Sequence, residues 1–454
     1  MILYCEAIYQ KNGVLCHNIY KICIFMIPYP KDFKMWRVWV LIDKIFYKRK
    51  ASFILIIFLI SIFYMTINVK QVNAASGNDY PIILVHGIYG WTKDEIQSFN
   101  YWGGDIDIVK MLNGLGFNVM NVKIGTFSSN WDRACELYYY IKGGTVDYGA
   151  AHSAKYGHAR YGNTYPGLYP YWDDTNKIHL VGHNFGGETI RLLIELLKNG
   201  DIEEQNYYIC HSEVGISTLF EGNKNFFVES VTTLGTQLNG ATFVNFVQRN
   251  NVKSLYISLG SLPTLYDANP RFDFGLDQWN LTRGPNESIY SYYNRVLKSS
   301  EFMNGGDNAI DDLNTDAAAL LNSKTTAYPD IYYFSYNGNN SHRSAATGYY
   351  LPIEVIWTPS ATITGKYTQN NTLPYGDSAW WKNDGAVSVI SAQHPFDEPY
   401  KNYNTVIEKG VWIVHPTMEY WAQEDFVGIG FRRDYVRLLN LYKNIAQTLV
   451  NLPE

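Results

Sequence analysis

The most constraining feature of this sequence is a mainly apolar strand that runs directly into a glycine-rich turn. Residues 178–181 predict a short buried strand, and the turn Gly182-His183-Asn184-Phe185-Gly186 follows at once. Residues 188–198 then have the composition of a helix. Glycines at both ends of such a turn let the chain reverse so tightly that the central side chain stands clear of the sheet. That central residue is Asn184.

Other strand-like runs alternate with helix-like runs along residues 76–454, which predicts a mainly parallel α/β sheet flanked by helices on both faces. The predicted strands are 81–85, 117–122, 178–181, 230–234 and 331–335. The predicted helices are 105–115, 188–197, 317–321 and 433–449. A segment rich in Tyr and Gly, at about 125–174, reads as an insertion. No repeat or linker divides residues 76–454, which we therefore interpret as a single domain.

The first 75 residues form a leader that differs from the remainder in charge. They carry a net charge of +7, which leaves −12 for the rest of the chain. Lys48-Arg49-Lys50 precedes an apolar run at 52–69, and the small residues of Val72-Asn73-Ala74-Ala75 follow. This order is typical of a secretory signal peptide, so we predict a secreted, extracellular protein with no membrane span after cleavage.

An uncleaved signal anchor is the alternative for this leader, although the apolar run is short for a span of about 20 residues. Residues 1–34 fit neither interpretation, and Met35 is a candidate for the true initiator. Only two cysteines, Cys135 and Cys210, lie outside the leader, too few for a disulfide framework. They could pair or remain free. The sequence has no basic patch that would indicate nucleic-acid binding.

The loop after the first predicted strand contributes a second part of the same pattern. It reads His86-Gly87-Ile88-Tyr89-Gly90-Trp91. Together with the turn at Asn184, it resembles the nucleophile elbow and oxyanion loop of the α/β-hydrolases, in which backbone N–H groups bind developing negative charge. Ile88 and Phe185 are the expected donors, whatever their side chains.

Eight further strings of residues carry a family resemblance. They are 101–104, 129–136, 143–149, 157–162, 219–222, 276–279, 383–385 and 409–412. In this order and spacing they resemble the large secreted triacylglycerol lipases of Gram-positive bacteria, of the thermoalkalophilic and staphylococcal type. The likeness covers about residues 80–450. It implies an α/β-hydrolase fold and a lipid or fatty acyl ester ligand.

The resemblance also implies a Ser–Asp–His triad, in which serine attacks the ester and histidine carries its proton. The matching positions are Asn184, Asp384 and Gln423. Because neither amide side chain can act as nucleophile or base near neutral pH, we predict an impaired or inactive homologue that retains lipid or acyl binding. The alternative is a carboxylester or triacylglycerol lipase with residual activity through a rearranged site, for which His394 and His415 are the candidate bases.

Two further segments depart from the family pattern near this site. The family's Thr-Pro-His-x-Gly turn reads Thr236-Gln-Leu-Asn-Gly240, and the segment that would hold the lid, at about 248–269, is short and contains few helix formers. We therefore predict a reduced lid.

The family likeness further implies a structural zinc site. Its four matching ligands are Asp132, His152, His158 and Asp307. Two imidazoles and two carboxylates with no open position are typical of a structural site, which would tie the insertion to the body of the protein. The family's structural calcium site is only half matched: Asp425 could supply one carboxylate, but Gly430-Phe431 stands where the second is expected.

Overall fold

Five of the seven strands of the central sheet form from the short apolar runs that the sequence predicts. In a computed structural model, the chain is described at residues 77–258, 264, 270–354, 358–403, 406–430 and 432–453. The predicted leader therefore lies outside the described residues. The described residues belong to the unit Ala75–Glu454. In this part of the chain, no helix is both long and apolar enough to span a membrane.

Seven strands of the described chain form one sheet. They are β1 (Ile82–Val85), β2 (Val119–Asn121), β5 (Ile178–His183), β6 (Val228–Leu234), β7 (Tyr332–Tyr336), β11 (Tyr400–Asn402) and β12 (Trp412–Val414). Their order in the sheet is β11-β12-β7-β6-β5-β1-β2, and every neighbouring pair is parallel. Three two-stranded pairs flank this sheet. They join β3 (Gly144–Asp147) to β4 (Tyr161–Tyr165), β9 (Ser341–Arg343) to β10 (Tyr350–Pro352), and β8 (Gly338–Asn339) to β13 (Met418–Glu419).

The helices of the described chain follow in order. They are α1 (Ile108–Gly114), α2 (Asn130–Lys142), α3 (Ala150–Tyr156), α4 (Phe185–Asn199), α5 (Ile202–Cys210), α6 (Thr218–Glu221), α7 (Thr242–Arg249), α8 (Lys253–Ser258), α9 (Ile289–Lys298), α10 (Ser300–Asn304), α11 (Ala309–Asp312), α12 (Thr315–Lys324), α13 (Thr358–Thr364) and α14 (Tyr435–Val450). Short 3-10 turns lie at Ser212–Val214, Asp277–Trp279, Asp377–Trp380 and Gln423–Val427.

The sheet separates two hydrophobic cores because successive strand residues point to opposite faces. In β1, Ile82 and Leu84 join one core, whereas Ile83 and Val85 join the other. Apolar residues of α1 and α14 complete the first core, and those of α2 and α4 complete the second. The prediction of a parallel sheet with helices on both faces is therefore confirmed.

Element boundaries differ from the predicted ones for local reasons. Helix α1 begins at Ile108 rather than 105 because the Asp107 side chain accepts a hydrogen bond from Lys110 N, a typical N-cap. Helix α4 begins at Phe185, directly after the turn, and so includes the glycines that the sequence had assigned to the turn. The edge strand β11 and its neighbour β12, three residues each, were not predicted.

The insertion at 125–174 contains α2, β3, α3 and β4. Helix α2 begins where the Ser129 side chain accepts a hydrogen bond from Asp132 N. Its Cys135 is buried in the second core, Cys210 at the end of α5 is exposed, and both are free thiols in the described structure. Of the two alternatives left open for these cysteines, the unpaired one is therefore correct.

Candidate functional site

The turn between β5 and α4 holds Asn184 in a conformation that residues with a side chain rarely adopt. Its φ is 53° and its ψ is −127°. Such a conformation costs on the order of 1–3 kcal/mol and persists only where the surrounding structure enforces it. The neighbouring glycines do so, because a Cβ on Gly186 would lie 2.2 Å from Val85 O and one on Gly182 would lie 2.5 Å from Gly187 N. The sharp turn predicted from sequence is thus present.

The side chain of Asn184 lies beside the loop that follows β1. A Cβ on Gly87 would approach the Asn184 Cβ to 2.5 Å, so the loop and the turn are in close contact. Ile88 follows Gly87 in this loop, and Phe185 is the first residue of α4, whose first-turn N–H groups lack intrahelical partners. Asn184 itself is 8% exposed, and its Oδ1 has no hydrogen-bond partner among the described residues.

Gln423 and Asp384 lie together on the other side of the turn. Gln423 N donates a hydrogen bond to Asp384 O at 3.2 Å, and the Gln423 side-chain Nε2 donates to Gly235 O at 2.9 Å. Gly235 follows Leu234, whose carbonyl accepts from Asn184 N at 3.0 Å. The structure therefore brings Asn184, Asp384 and Gln423, which are up to 239 positions apart in the chain, into one place.

The Asp384 carboxylate is only half satisfied. Its Oδ1 accepts hydrogen bonds from Ala386 N and Val387 N at 3.0 and 2.8 Å, whereas Oδ2 has no partner in the described structure. Burial, and to a smaller extent the nearby Asp425, raise the pKa of Asp384 to about 7 despite the backbone hydrogen bonds that favour its charged form. The adjacent Glu424 is also buried, and its pKa is raised well above the usual range for the same reason, with Asp384 as its largest repulsive neighbour. Acid groups in this place therefore tend to be protonated near neutral pH.

His183 is fixed away from the exposed side of the turn. The Gln423 carbonyl can only accept a hydrogen bond, so His183 Nε2, which lies 3.0 Å from it, is the donor. In this tautomer Nδ1 carries no hydrogen, and it accepts a hydrogen bond from the Tyr101 hydroxyl at 2.6 Å. The same hydroxyl accepts from Gly87 N at 3.0 Å. Burial lowers the pKa of His183 to about 4, so the ring is neutral. Both ring nitrogens are occupied, and His183 is not available as a replacement base.

His394 and His415, the candidate replacement bases, make their contacts elsewhere. The His394 ring stacks on Tyr400 at 3.7 Å, and its Nδ1 lies 2.8 Å from Pro395 O. The His415 ring is stacked between Tyr336 and Tyr403, at 3.9 and 4.2 Å. Burial lowers the pKa of both, to about 4 for His415. The structure does not bring either ring to Asn184.

The four predicted zinc ligands form one tight group. His152 Nε2 lies 3.4 Å from Asp132 Oδ1 and 3.4 Å from Asp307 Oδ1, and His158 Nε2 lies 3.3 Å from Asp307 Oδ2 and 3.9 Å from Asp132 Oδ1. One ligand atom from each residue lies within 4.8 Å of all the others. A tetrahedral ion with bonds of about 2.0–2.1 Å requires ligand separations of about 3.3 Å, which these distances approach.

The surroundings of this group favour metal binding. Asp132 Oδ1, His152 Nε2, His158 Nε2 and Asp307 Oδ2 are buried without a hydrogen-bond partner in the described structure. Outer contacts orient the ligands: His158 Nδ1 donates to Ala159 O at 2.8 Å, and Gln278 Nε2 donates to Asp132 Oδ2 at 2.6 Å. Fixing Nδ1 as the donor leaves Nε2 free to bind an ion. The group could therefore hold a metal, with Asp307 joining the insertion to the body.

Asp425, the candidate calcium ligand, uses its carboxylate to stabilise the turn in which it lies. Its Oδ2 accepts from Ala422 N at 2.7 Å, and a Cβ on Gly430 would lie 2.1 Å from its Oδ1. Among the described residues, the Asp132 group is the one place where three or more His, Cys, Asp or Glu side chains lie close enough to share an ion. Calcium at Asp425 therefore remains a prediction. The predicted reduced lid at 248–269 contains the end of α7 and all of α8, and its residues 259–263 and 265–269 lie outside the described chain.

A parallel sheet in which an inner strand, here β5, ends in a strained turn, with a helix after the turn and a strand-end loop beside it, is typical of the α/β-hydrolase class. The chain belongs to the family described as lipase-like, C-terminal domain, which matches residues 78–454. It is 44% identical over 363 residues to Lipase 1 of Staphylococcus aureus, covering 77% of this chain and 51% of that protein. It is 43% identical over 357 residues to a lipase of Staphylococcus epidermidis, covering 77% and 50%. The chain thus spans about half the length of these curated relatives.

Solved structures agree with this assignment. EstA from Clostridium botulinum has a TM-score of 0.76 and 38% identity, covering 85% of this chain and 90% of EstA. Lipase 1 from Pelosinus fermentans has a TM-score of 0.73 and 40% identity, with coverage of 83% and 100%. The Staphylococcus hyicus lipase has a TM-score of 0.71 and 35% identity, with coverage of 82% and 96%. The predicted resemblance to staphylococcal-type lipases and the α/β-hydrolase fold are confirmed.

Sequence reasoning missed several residues that shape the site. Tyr101 was noted only as part of a family string, yet its hydroxyl joins His183 to the loop after β1. Glu424 was not singled out, although it adds a second buried acid beside Asp384. No local pattern marks either role, because both depend on neighbours from distant segments.

Proposed function

We propose that this chain is a secreted triacylglycerol-lipase homologue that has lost ester hydrolysis and retains an acyl- or lipid-binding cleft. The observation that carries the proposal is the pair of amides at the two reactive positions of a preserved elbow. Asn184 occupies the strained position of the turn, and Gln423 lies beside Asp384 with its amide bound to Gly235 O.

The chemistry of these side chains supports the loss of activity. An asparagine amide has no hydroxyl with which to form an acyl-enzyme, and a glutamine amide cannot take up and return a proton near neutral pH. The orphaned Asp384 Oδ2 is what the loss of a histidine partner would leave behind. Neither His183 nor His415 replaces that partner, since their rings are held by other contacts.

The backbone parts of the site favour retained ligand binding. Backbone N–H groups at Ile88 and Phe185 can bind a carbonyl or carboxylate oxygen regardless of the missing nucleophile. The same parts support the alternative, a carboxylester or triacylglycerol lipase with residual activity. An oxyanion site and bound substrate alone leave a residual acceleration of about 10³–10⁴ over water in other hydrolases that lack their triads.

Zinc is the metal that we propose for the Asp132 group. Two imidazole nitrogens and two carboxylate oxygens at near-tetrahedral spacing suit zinc, and a set of four protein ligands leaves no open position for a reacting water. The ion would then be structural. It would hold α2, α3 and the residue His158 just after α3 to Asp307, and no step of ester chemistry would pass through it.

An ester-hydrolysis assay on the purified protein from residue 76 onward tests the proposal. The wild type is compared with Asn184→Ser/Gln423→His and with each single variant, using short- and long-chain p-nitrophenyl esters and a triacylglycerol emulsion. We expect background rates from the wild type and from Gln423→His, and a gain of at least 100-fold in the double variant. Wild-type turnover comparable to that of the double variant would favour the residual-activity alternative.

Ligand binding is measured separately, by titrating the wild type with a fluorescent fatty acid and displacing it with unlabelled acyl chains. We expect saturable, competable binding. Its absence would reject the binding part of the proposal while leaving the conclusion on hydrolysis intact. N-terminal sequencing of protein exported with residues 1–75 tests secretion, for which we expect cleavage next to Ala75.

A further inference from the structure

A cavity of about 620 Å³ lies beside the Asp132 group, and His152 and Asp307 contribute to its lining. It is lined by α2, α4 and the segment from Gly306 to Lys324. Seven of its lining residues are carboxylic acids, and only two are lysines, Lys155 and Lys324. This excess of acid favours a cationic ligand, but an acidic lining alone does not define a site, so each acid has to be considered with its contacts.

Several of these acids already have structural partners. Glu204 accepts hydrogen bonds from Ala151 N and His152 N at 3.0 and 2.7 Å, which fixes the start of α3. Asp201 caps α5 through Glu204 N, and Glu195 accepts from the Tyr328 hydroxyl at 2.6 Å. These groups are occupied without any ligand.

Three oxygen-bearing side chains remain at the inner wall: Asn130, Glu188 and Asp312. Asn130 is 6% exposed and Glu188 is 1% exposed. Asn130 Oδ1 and Glu188 Oε1 have no hydrogen-bond partner in the described structure. An amide oxygen and a carboxylate oxygen buried without a partner are costly, so a ligand that satisfies both is favoured.

Two hydrogen bonds of Asn130 link it to the other two residues, and all three line the same cavity. Asn130 N donates to Asp312 Oδ2 at 2.6 Å, and Asn130 Nδ2 is 3.4 Å from Glu188 O. The contact with Glu188 O fixes the orientation of the Asn130 amide, because only Nδ2 can donate to a carbonyl oxygen. Asn130 Oδ1 is therefore the atom left without a partner. Asn130 thus connects Glu188 and Asp312 at the same cavity.

We propose that this cavity binds a hard divalent cation of the calcium type, through Asn130 Oδ1 and the carboxylates of Glu188 and Asp312. All three ligands are oxygens, and two carboxylates together with an amide oxygen are the donor types that Ca²⁺ prefers, with water completing the shell. The cavity is large enough for such waters. Histidine, which would favour zinc, is absent from this ligand set.

The bound ion would connect three elements of the fold. Asn130 begins α2, Glu188 lies in the first turn of α4, and Asp312 ends α11. Because Glu188 follows Asn184 by four residues, the ion would stabilise the start of the helix that supports the elbow. This role is independent of ester hydrolysis and of the proposed acyl binding.

Calcium titration of the zinc-loaded protein tests the proposal, by calorimetry and by thermal unfolding with and without 2 mM Ca²⁺. We expect a saturable heat and a rise in Tm for the wild type. Glu188→Gln, which keeps the shape but removes the charge, should weaken Ca²⁺ binding at least 10-fold. Glu203→Gln is the matched control, because Glu203 lies at the rim of the same cavity with its side chain 71% exposed. It should bind Ca²⁺ like the wild type.

Two further variants separate a ligand from a merely structural residue. Asn130→Asp supplies a charged oxygen in place of a neutral one, so it should retain or strengthen the calcium response, whereas Asn130→Ala should lose it. Elemental analysis should give unchanged zinc in every variant. The proposal is overturned if the wild type does not respond to Ca²⁺, or if Glu188→Gln responds fully. A response that is lost only in Asp425→Asn would also overturn it, because the ion would then lie near Gln423.

Discussion

Asp384→Asn is expected to stabilise this protein, whereas in a working triad the same change removes an essential acid. Asp384 is 1% exposed, and its Oδ2 has no partner in the described structure. Asparagine has the same shape, and its Oδ1 can still accept from Ala386 N and Val387 N. The substitution therefore keeps the existing hydrogen bonds and removes only the need to bury a charge.

The magnitude follows from the pKa of Asp384, which burial raises from 3.8 to about 7. Below pH 3.8 the group is protonated in both folded and unfolded chains, so it has no effect. Between pH 3.8 and 7 only the unfolded chain ionises, so folding stability falls as the pH rises, and the loss is complete above pH 7. A shift of this size corresponds to about 4 kcal/mol as an upper value. Asp384→Asn should recover most of this above pH 7 and almost none near pH 4.

Urea unfolding of the wild type and Asp384→Asn at pH 4.5, 6 and 8.5 measures this difference. We expect the gain in unfolding free energy to increase across the three values. Glu203→Gln, at an exposed position, serves as the control and should show little dependence on pH. A gain that is equal at all three values, or a loss of stability at pH 8.5, would refute the reasoning that Asp384 is an unpartnered buried acid.

Two other changes test the metal group and the turn. Removing the proposed zinc with a strong chelator should lower the stability of the wild type by several kcal/mol, because four buried ligand atoms would lose their partner. His158→Ala should lower the Tm of untreated protein and remove its response to chelator; an unchanged response would count against the four-ligand group. Gly186→Ala should destabilise the protein by about 1–3 kcal/mol or more, since the added Cβ would lie 2.2 Å from Val85 O. Gly114→Ala, where nothing lies within 4 Å, should be neutral or stabilising, and equal effects of the two would contradict this reading of the turn.

Much of the fold could be predicted from the sequence because its signals are local. Strand-like runs of four to six residues predicted β1, β2, β5, β6 and β7, and the glycines around Asn184 predicted the sharp turn before α4. The edge strand β11 and its neighbour β12 were missed because strands of three residues carry little pattern of their own, whereas the equally short β2 lies inside the longer predicted run 117–122.

The candidate site was likewise predictable only in part. The resemblance to the lipase family pointed to Asn184, Asp384 and Gln423 and to the four residues of the metal-binding group. They did not reveal that Asp384 Oδ2 is without a partner, or that the Gln423 carbonyl holds His183 across 240 residues. Those facts depend on how distant segments pack, which no local pattern records.

The sequence by itself therefore determined the strands, the strained turn and the chemical types of residue at the site, since each is set by neighbours a few positions away. Only the tertiary structure decided which polar atoms are buried and which of them lack a partner. Asn130 and Asp312, separated by 182 residues, meet Glu188 at one cavity, and nothing in their sequence surroundings distinguishes them from surface residues. The physical reason is that burial and hydrogen bonding across the chain arise from packing, which determines whether a polar side chain faces water, a partner or an ion.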